Sequence, residues 1–365
     1  MNKVCLACGR TSPDSNLFCQ ENYCPAEMSP YIFDYGEWLG DIEIIRPITV
    51  LRASALYEAR QNKQNVLLKV AHPGSDHTDK LKREAVLLAE MATSQKRDVS
   101  LPILLPAYAN STVGKDPYGR AMLGDHLLYF CLFQHFEGET LRDVLIKNSQ
   151  LWIFHVGWIT LHLASAVAFL ESKGQYHYGM SPESLLVRFR NDMAAPQVLL
   201  FDLGIASNRK ELQQNWYPTF VPPAYTAPEL IDQTPEPNYA TDVYGIGLIL
   251  YELLVGTPAF PFKLHSDDKV YDAVQREQRV PMNRVQDVKE VAAIATTAVN
   301  PDPAKRQQNA AELTAALLKI FGDTPAPRKR SWPSIRTTFA VAAALLAIAF
   351  VIVFGASVVF AFRAA

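Results

Sequence analysis

The sequence predicts a two-lobed α+β domain, and the hydrophobic periodicity along the chain carries this prediction. Residues 41–134 alternate in the manner of strands, apart from one helical stretch at 78–96 where apolar residues such as Leu81 and Ala85 recur at helical spacing. Residues 139–321 show mainly helical patterns. We therefore expect a first lobe made of a small sheet with one packed helix, and a second lobe that is mainly helical.

Two long apolar segments of the second lobe predict buried helices. The segment 151–174 is apolar nearly all round and ends at Gly174, and the segment 240–256 is equally apolar and ends at Gly256. A helix that is apolar on every side belongs in a protein core, and glycine commonly ends a helix because it accepts a left-handed backbone. Both helices should therefore lie inside the second lobe.

The charge balance argues against functions that require a strongly charged molecule. The 365 residues include 35 Lys and Arg against 37 Asp and Glu, a formal net charge of −2. No global field therefore draws the chain to nucleic acid, and we expect no nucleic-acid partner. The first residues also lack the apolar core of a secretory signal.

Residues 337–362 predict a helix that crosses a membrane. They form 26 consecutive uncharged and mostly apolar positions, whereas about 20 helical residues suffice to cross the hydrocarbon core. A buried helix of the soluble domain is the alternative, but such helices are rarely so long. Positive charge is unequal on the two flanks, with four residues before the segment and one after it: Arg328, Lys329, Arg330, Arg336 and Arg363.

This asymmetry predicts the topology of the chain. Basic flanks stay on the cytoplasmic side, so we expect a single-pass protein with a cytoplasmic N-terminal domain and its C-terminus outside. Residues 323–336 are basic and contain prolines, which indicates a short, fairly stiff linker. The lipid bilayer is then one partner of the protein.

Four of the five cysteines fall in residues 1–30 as two close pairs: Cys5, Cys8, Cys19 and Cys24. Two such pairs can surround one tetrahedral zinc ion and leave no position open for water, so we expect a small structural zinc ribbon. Disulfides are the alternative, although a cytoplasmic location disfavours them. Cys131 stands alone in an apolar run, where a buried thiol is the default.

An ordered series of short strings points to the chemistry of the domain. Lys69 stands in the strand-like VLLKVA, and Glu84 follows on the predicted helix, so the two can pair inside the protein. The strings YHYGMSPESLLV, VLLFDLG, YTAPEL, DVYGIG and NPDPAKR come later, in that order. Together they resemble the catalytic domain of Ser/Thr protein kinases over residues 41–321. The resemblance implies the bilobal protein kinase fold.

The resemblance assigns three residues to ATP and magnesium. Lys69 resembles the lysine that holds the α- and β-phosphates of ATP, and Glu84 resembles its ion-pair partner. Asp202, in Asp202-Leu203-Gly204, resembles the aspartate that binds magnesium. ATP and Mg²⁺ are thus the implied cofactors. An ion-pair network that merely holds the lobes together is the alternative role for these residues.

Four further residues resemble structural members of the family. Glu229 of TAPEL and Arg306 of PAKR resemble the ion pair that braces the activation segment. Asp242 resembles the aspartate that supports the catalytic loop, and His177 resembles the histidine that packs beneath it. For His177 we expect this packing role rather than acid–base chemistry.

The catalytic loop departs from the family at three positions. Gly179 stands where the family has the aspartate that accepts the substrate's hydroxyl proton. Ser181 replaces a lysine, and Ser184 replaces the asparagine that holds a second magnesium. Loss of a general base typically costs ~10²- to 10⁴-fold in rate. No catalytic residue of the loop is therefore intact, and we predict impaired phosphotransfer.

The segment aligned with the family's glycine-rich loop lacks its glycines. Thr49, Leu51 and Ser54 stand where glycines would let the backbone approach the phosphates. The sequence thus predicts a pseudokinase, a membrane-tethered signalling scaffold or allosteric partner in which bound nucleotide adjusts lobe closure. An active Ser/Thr kinase is the second hypothesis, and a docking protein indifferent to nucleotide is the third.

Overall fold

The computed structural model describes most of the chain up to residue 322, and the linker at 323–336 and the segment 337–362 lie outside the described residues. The described ranges are 2–5, 11–12, 30–92, 98–191, 194–203, 206–208, 220–232, 236–260, 266–283 and 288–322.

The first lobe is built on an antiparallel sheet in which seven strands are described. The strands are β4 (Trp38–Leu39), β5 (Ile42–Val50), β6 (Ser54–Gln61), β7 (Gln64–Ala71), β8 (Leu104–Leu105), β9 (Gly119–Leu123) and β10 (His126–Gln134). Their order in the sheet is β4-β5-β6-β7-β10-β8, and β9 pairs with the first half of β10, from His126 to Phe130. This confirms the predicted sheet and moves its first strand slightly ahead of residue 41.

One helix, α1 (Ser75–Ala92), packs on this sheet. Its buried face includes Leu81, Ala85 and Leu88, the residues whose spacing predicts it. The helix begins three residues before the predicted start at 78, and residues 93–97 lie outside the described part of the chain.

The second lobe is mainly helical, as predicted, and it also contains a small antiparallel sheet. The sheet comprises β11 (Glu139–Thr140), β12 (Leu185–Arg188) and β13 (Gln197–Leu200). The described helices are α2 (Leu141–Lys147), α3 (Ile153–Glu171), α4 (Pro228–Asp232), α5 (Tyr239–Val255), α6 (Asp267–Gln275), α7 (Lys289–Ala298) and α8 (Ala310–Phe321).

The two apolar helices form the centre of this lobe. Helix α3 packs against α5 and α8, and α5 packs against α7. Gly174 follows α3 with φ +70°, and Gly256 caps α5 with φ +85°, so both glycines adopt the left-handed backbone expected of them. Among the described residues, α3 alone is long and apolar enough to span a membrane, but most of it is buried inside the lobe, as in a core helix.

A separate three-stranded antiparallel sheet lies at the N-terminus. It has the order β2-β1-β3 and comprises β1 (Asn2–Val4), β2 (Thr11–Ser12) and β3 (Tyr31–Ile32), so it extends just past residue 30. Cys5 follows β1 directly and is buried. The other three cysteines of the predicted zinc ribbon lie outside the described residues, and zinc binding therefore stays a prediction.

Candidate functional site

Lys69 lies at the centre of the large sheet of the first lobe, where its side chain reaches Asp202. It sits on β7 between Leu56 of β6 and Cys131 of β10 and is almost fully buried. Its ammonium donates to Glu84 of α1 and, at 2.6 Å, to Asp202. Burial opposes the charge of this lysine, but the two carboxylates outweigh it, and the pKa of Lys69 is raised.

Glu84 joins the helix to the segment that carries Asp202. One carboxylate oxygen accepts from Lys69, and the other accepts the backbone N–H groups of Asp202 at 3.1 Å and Leu203 at 3.0 Å. These bonds hold Asp202 in a left-handed backbone with φ +72°, a conformation that is uncommon for a residue with a side chain. The structure therefore brings Lys69, Glu84 and Asp202 together, as the sequence predicts.

A second lysine, Lys80, completes this cluster and was not predicted from the sequence. Its ammonium lies 2.9 Å from each carboxylate oxygen of Asp202. Burial alone would raise the pKa of Asp202, but the ammonium groups of Lys69 and Lys80 hold it well below its usual range. The signal was present in the sequence, because Lys80 lies four residues before Glu84 and hence on the same helix face.

Asp242 holds the backbone of the catalytic-loop segment in place. The backbone N–H groups of His177 and Tyr178 donate to its two carboxylate oxygens at 2.8 and 2.7 Å. Burial raises the pKa of Asp242 to about 7, although these two donors favour the charged form. Asp242 lies within the first turn of α5, which begins at Tyr239, one residue before the predicted segment 240–256.

His177 is fully buried under the loop. Its Nδ1 accepts the backbone N–H of Gly179 at 3.2 Å, and burial lowers the pKa of the imidazole to about 4. A neutral imidazole that accepts from the backbone supports the loop and carries no proton from this nitrogen to a substrate. The geometry thus agrees with the packing role expected of His177.

Ser181 and Ser184 close a single turn after Gly179. The hydroxyl of Ser184 donates to the carbonyl of Ser181 at 2.8 Å and accepts its N–H at 3.1 Å. Both serines are buried. The side chain at the position of the metal-binding asparagine is therefore committed to its own backbone.

A small cavity of about 120 Å³ remains beside Gly179. Three carboxylates line it in the described part of the chain, and all three are paired with cations. Asp202 pairs with the two lysines, Glu183 pairs with Arg142 at 2.7 Å, and Asp267 pairs with Arg52 at 2.6 Å. Asp202 is a weak general base, because the ammonium groups of the two lysines hold its pKa well below the usual range.

The loop that lacks glycines lies folded over this cavity. Leu51 is buried, and its carbonyl accepts from His72 Nε2 at 2.8 Å. Ala53 packs with Phe220 and Val221, which come from the end of the activation segment. The side chains of this loop therefore occupy the space that glycines would leave open for the phosphates of a nucleotide.

Arg142 of α2 forms a charged network under the loop that the sequence did not reveal. It donates to Glu183, to Glu252 of α5 and, at 2.5 Å, to the hydroxyl of Tyr225. The Tyr225 hydroxyl in turn donates to Glu252 at 2.5 Å. The network joins four segments that are far apart in the chain, so no local sequence pattern could predict it.

Glu229 and Arg306 form the predicted ion pair in the second lobe. The guanidinium donates to both carboxylate oxygens, at 2.6 and 2.9 Å, and both side chains are inaccessible to solvent. Arg306 also donates to the carbonyls of Ala240, Asn300 and Pro301. A bidentate pair with every donor used is a stable way to bury an arginine.

The residues around Asp202 do not fit a magnesium ion as they stand. Mg²⁺ demands about six oxygen ligands in an octahedron, whereas both oxygens of Asp202 already accept from ammonium groups, and Ser184 is turned into its own backbone. In the described ranges, no three His, Cys, Asp or Glu side chains are grouped so that they could hold a metal.

Comparison with known proteins identifies the family of the motifs that lie within residues 115–321. The family model of the protein kinase domain matches residues 115–321, more than half of the chain. The serine/threonine-protein kinase PknG of Mycolicibacterium smegmatis is 25% identical over 358 residues, covering 92% of this chain and 41% of that protein.

Two further relatives match shorter stretches. The serine/threonine-protein kinase PkaA of Streptomyces coelicolor is 33% identical over 125 residues, which is 34% of this chain and 22% of that protein. A serine/threonine-protein kinase of Drosophila persimilis is 35% identical over 145 residues, which is 40% of this chain and 19% of that protein. The chain thus spans less than half the length of these relatives. The match over residues 115–321, together with the two-lobed α+β architecture, shows that this chain belongs to the protein kinase domain family.

Proposed function

We propose that the protein is a pseudokinase, a kinase-fold signalling scaffold or allosteric partner that transfers phosphate poorly. The observation that carries this proposal is the pairing of carboxylates beside Gly179. Residue 179 has no side chain to accept a proton, and Glu183, Asp202 and Asp267, which line the cavity, are all held by cations.

The expected loss of rate is large. A positioned general base contributes about 10²- to 10⁴-fold, or about 3 to 5 kcal/mol of barrier. Phosphoryl transfer depends on positioning and on neutralising charge, so the replacement of a lysine by Ser181 and of an asparagine by Ser184 adds to this loss. Turnover should fall well below the about 1–100 s⁻¹ of ordinary kinases.

Protein kinase domains in general use ATP with Mg²⁺, and here nucleotide is proposed as a conformational ligand. Lys69 and Glu84 retain the paired geometry that a phosphate-binding lysine needs. The cavity beside Gly179, of about 120 Å³, is smaller than the about 300 Å³ of the smallest common ligand pockets and is not lined by Lys69, so it does not hold a nucleotide by itself, and we infer that the lobes open to admit one. Bound nucleotide would then bias the spacing of the lobes.

The test uses the full chain in detergent micelles. ATP binding is measured by thermal shift, and phosphate transfer is measured to the chain itself and to generic protein substrates. Binding without transfer is the expected result. Turnover at ordinary kinase rates that disappears in Lys69→Met would overturn the proposal and establish the second hypothesis, an active Ser/Thr kinase. A chain with no ATP-induced shift and no response to Lys69→Met would instead be a docking protein indifferent to nucleotide.

Membrane anchoring by residues 337–362 is part of the proposal, with residues 1–336 in the cytoplasm. It is supported by the length of the apolar segment and by the four basic residues that precede it. Membrane fractionation of the full chain and of a chain ending at residue 336 tests it. Alkaline carbonate should leave the full chain in the pellet, and loss of the full chain to the supernatant would rule out a spanning helix.

A structural zinc ion bound by the four N-terminal cysteines is proposed separately. Cys5 is buried directly after β1, and the paired spacing of the cysteines suits a tetrahedral site. Elemental analysis should give one zinc per chain, lost in Cys5→Ser. A folded protein purified without zinc would disprove this proposal.

A further inference from the structure

Lys80 is the most unusual charged residue of the cleft. It lies on α1, its side chain is 3% exposed, and its ammonium contacts both carboxylate oxygens of Asp202 at 2.9 Å. It also lies over the ring of Phe220, 5.7 Å from the ring centroid. Burying an ammonium is costly unless it is paired, so this position is specified by its contact with Asp202.

Asp202 is thereby surrounded by cations that belong to the chain itself. Lys69 lies 2.6 Å from one oxygen, and Lys80 faces both. A divalent ion bound to this carboxylate would need the face that Lys80 covers, and it would meet a like charge there. Ser184 offers no second ligand, because its hydroxyl bonds to Ser181.

We propose that Lys80 takes the place of a divalent metal at Asp202, so that a nucleoside phosphate enters this cleft without a metal ion on that carboxylate. The nucleotide part of this inference rests on the proposed function. Lys80 is here a residue that determines metal specificity, and the chain carries in its own helix a positive charge that other members of the family take from solution.

The experiment counts bound Mn²⁺ by electron paramagnetic resonance on the full chain in detergent micelles, with and without ATP. The Mn²⁺ count of each protein is compared with that of the same protein carrying Asp202→Asn. The difference between the two counts is the Mn²⁺ that depends on Asp202. Wild type and Asp202→Asn should bind the same amount. Lys80→Met should bind one more Mn²⁺ per chain than Lys80→Met with Asp202→Asn. Lys82→Met, a change at a partly exposed lysine of the same helix that pairs with Asp79, should behave as wild type.

A wild type that holds a Mn²⁺ which Asp202→Asn loses would overturn the inference, as would a Lys80→Met variant that gains none. Lys80→Gln, which is polar and close in length, serves as a second variant should Lys80→Met fail to fold. The affinity for a fluorescent ATP analogue gives an independent readout. It should change little between EDTA and Mg²⁺ in wild type, and it should increase at least about tenfold with Mg²⁺ in Lys80→Met.

These outcomes are separable from a failure of the proposed function. Phosphate transfer at ordinary kinase rates, measured in the same samples, would refute the pseudokinase without altering the Mn²⁺ count. If no variant binds ATP, the nucleotide part of the inference is refuted. The count without ATP still decides whether Lys80 excludes metal from Asp202.

Discussion

Arg52 and Asp267 form a bidentate ion pair across the mouth of the cleft. Arg52 Nη1 lies 2.6 Å from Asp267 Oδ2, and Nη2 lies 2.9 Å from Oδ1. Arg52 belongs to the loop of the first lobe, and Asp267 opens α6 of the second lobe. The chain thus ties its two lobes together with its own side chains.

Breaking this pair should open the cleft with little effect on stability. Arg52→Ala should accelerate backbone hydrogen exchange around Leu51 and Ala53, because the loop loses its attachment to the second lobe. Both partners are partly exposed, so the free energy of unfolding should change by less than about 1 kcal/mol. Arg46→Ala, which removes an exposed pair within the sheet, is the control and should leave exchange at the loop unchanged. Equal exchange in wild type and Arg52→Ala would show that the pair does not hold the loop.

The pair between Glu229 and Arg306 should be critical for stability. Arg306→Ala leaves Glu229 buried without its cation, and breaking a buried pair costs about 3 to 5 kcal/mol. Urea denaturation measures the free energy of unfolding. Lys147→Ala removes the exposed pair with Glu139 and should cost less than about 1 kcal/mol. A similar loss in the two variants would contradict the role assigned to burial.

Acid should destabilise the protein in part through His72. Burial lowers the pKa of His72 to about 4 in the folded state, whereas the unfolded value is 6.5. The unfolded chain therefore takes up this proton first as the pH falls, and stability is lost from about pH 6.5 down to about pH 4. His72→Gln should reduce the loss between pH 7 and pH 5 by about 2 kcal/mol.

Unfolding curves at the two pH values test this effect. His126→Gln, at an exposed position, should keep the wild-type pH dependence. The same pH dependence in His72→Gln and wild type would show that the imidazole titrates normally in the folded protein.

Restoring the missing groups of the catalytic loop should raise phosphotransfer. Gly179→Asp supplies a carboxylate at the position of the general base, and Ser184→Asn supplies a possible metal ligand. We expect the combined variant to gain up to about 10²-fold over wild type in an autophosphorylation assay. The same pair of changes in a Lys69→Met background is the control and should show no gain. An absence of gain in the combined variant would show that the larger defect lies elsewhere, in the altered glycine loop at Leu51 or in the exclusion of metal from Asp202 by Lys80.

Local patterns in the sequence were sufficient for the architecture and for the centre of the site. Helical spacing predicted α1, and continuous apolar runs predicted α3 and α5, because a helix buries residues that are three or four apart in the chain. Burial predicted that Lys69 and Glu84 pair, and the resemblance to the protein kinase family implied that Asp202 belongs to the same site. The substitutions at Gly179 and Ser184 could be read directly, since each changes one residue within a recognisable motif.

Only the tertiary structure decided which partner each charged residue of the cleft contacts. Lys80 reaches Asp202 across 122 positions, and Arg52 reaches Asp267 across 215. Contacts of this range depend on how the lobes close and on which side chains fill the space between them. Periodicity reports the face on which a residue lies, whereas the partner on that face is set by packing of distant segments.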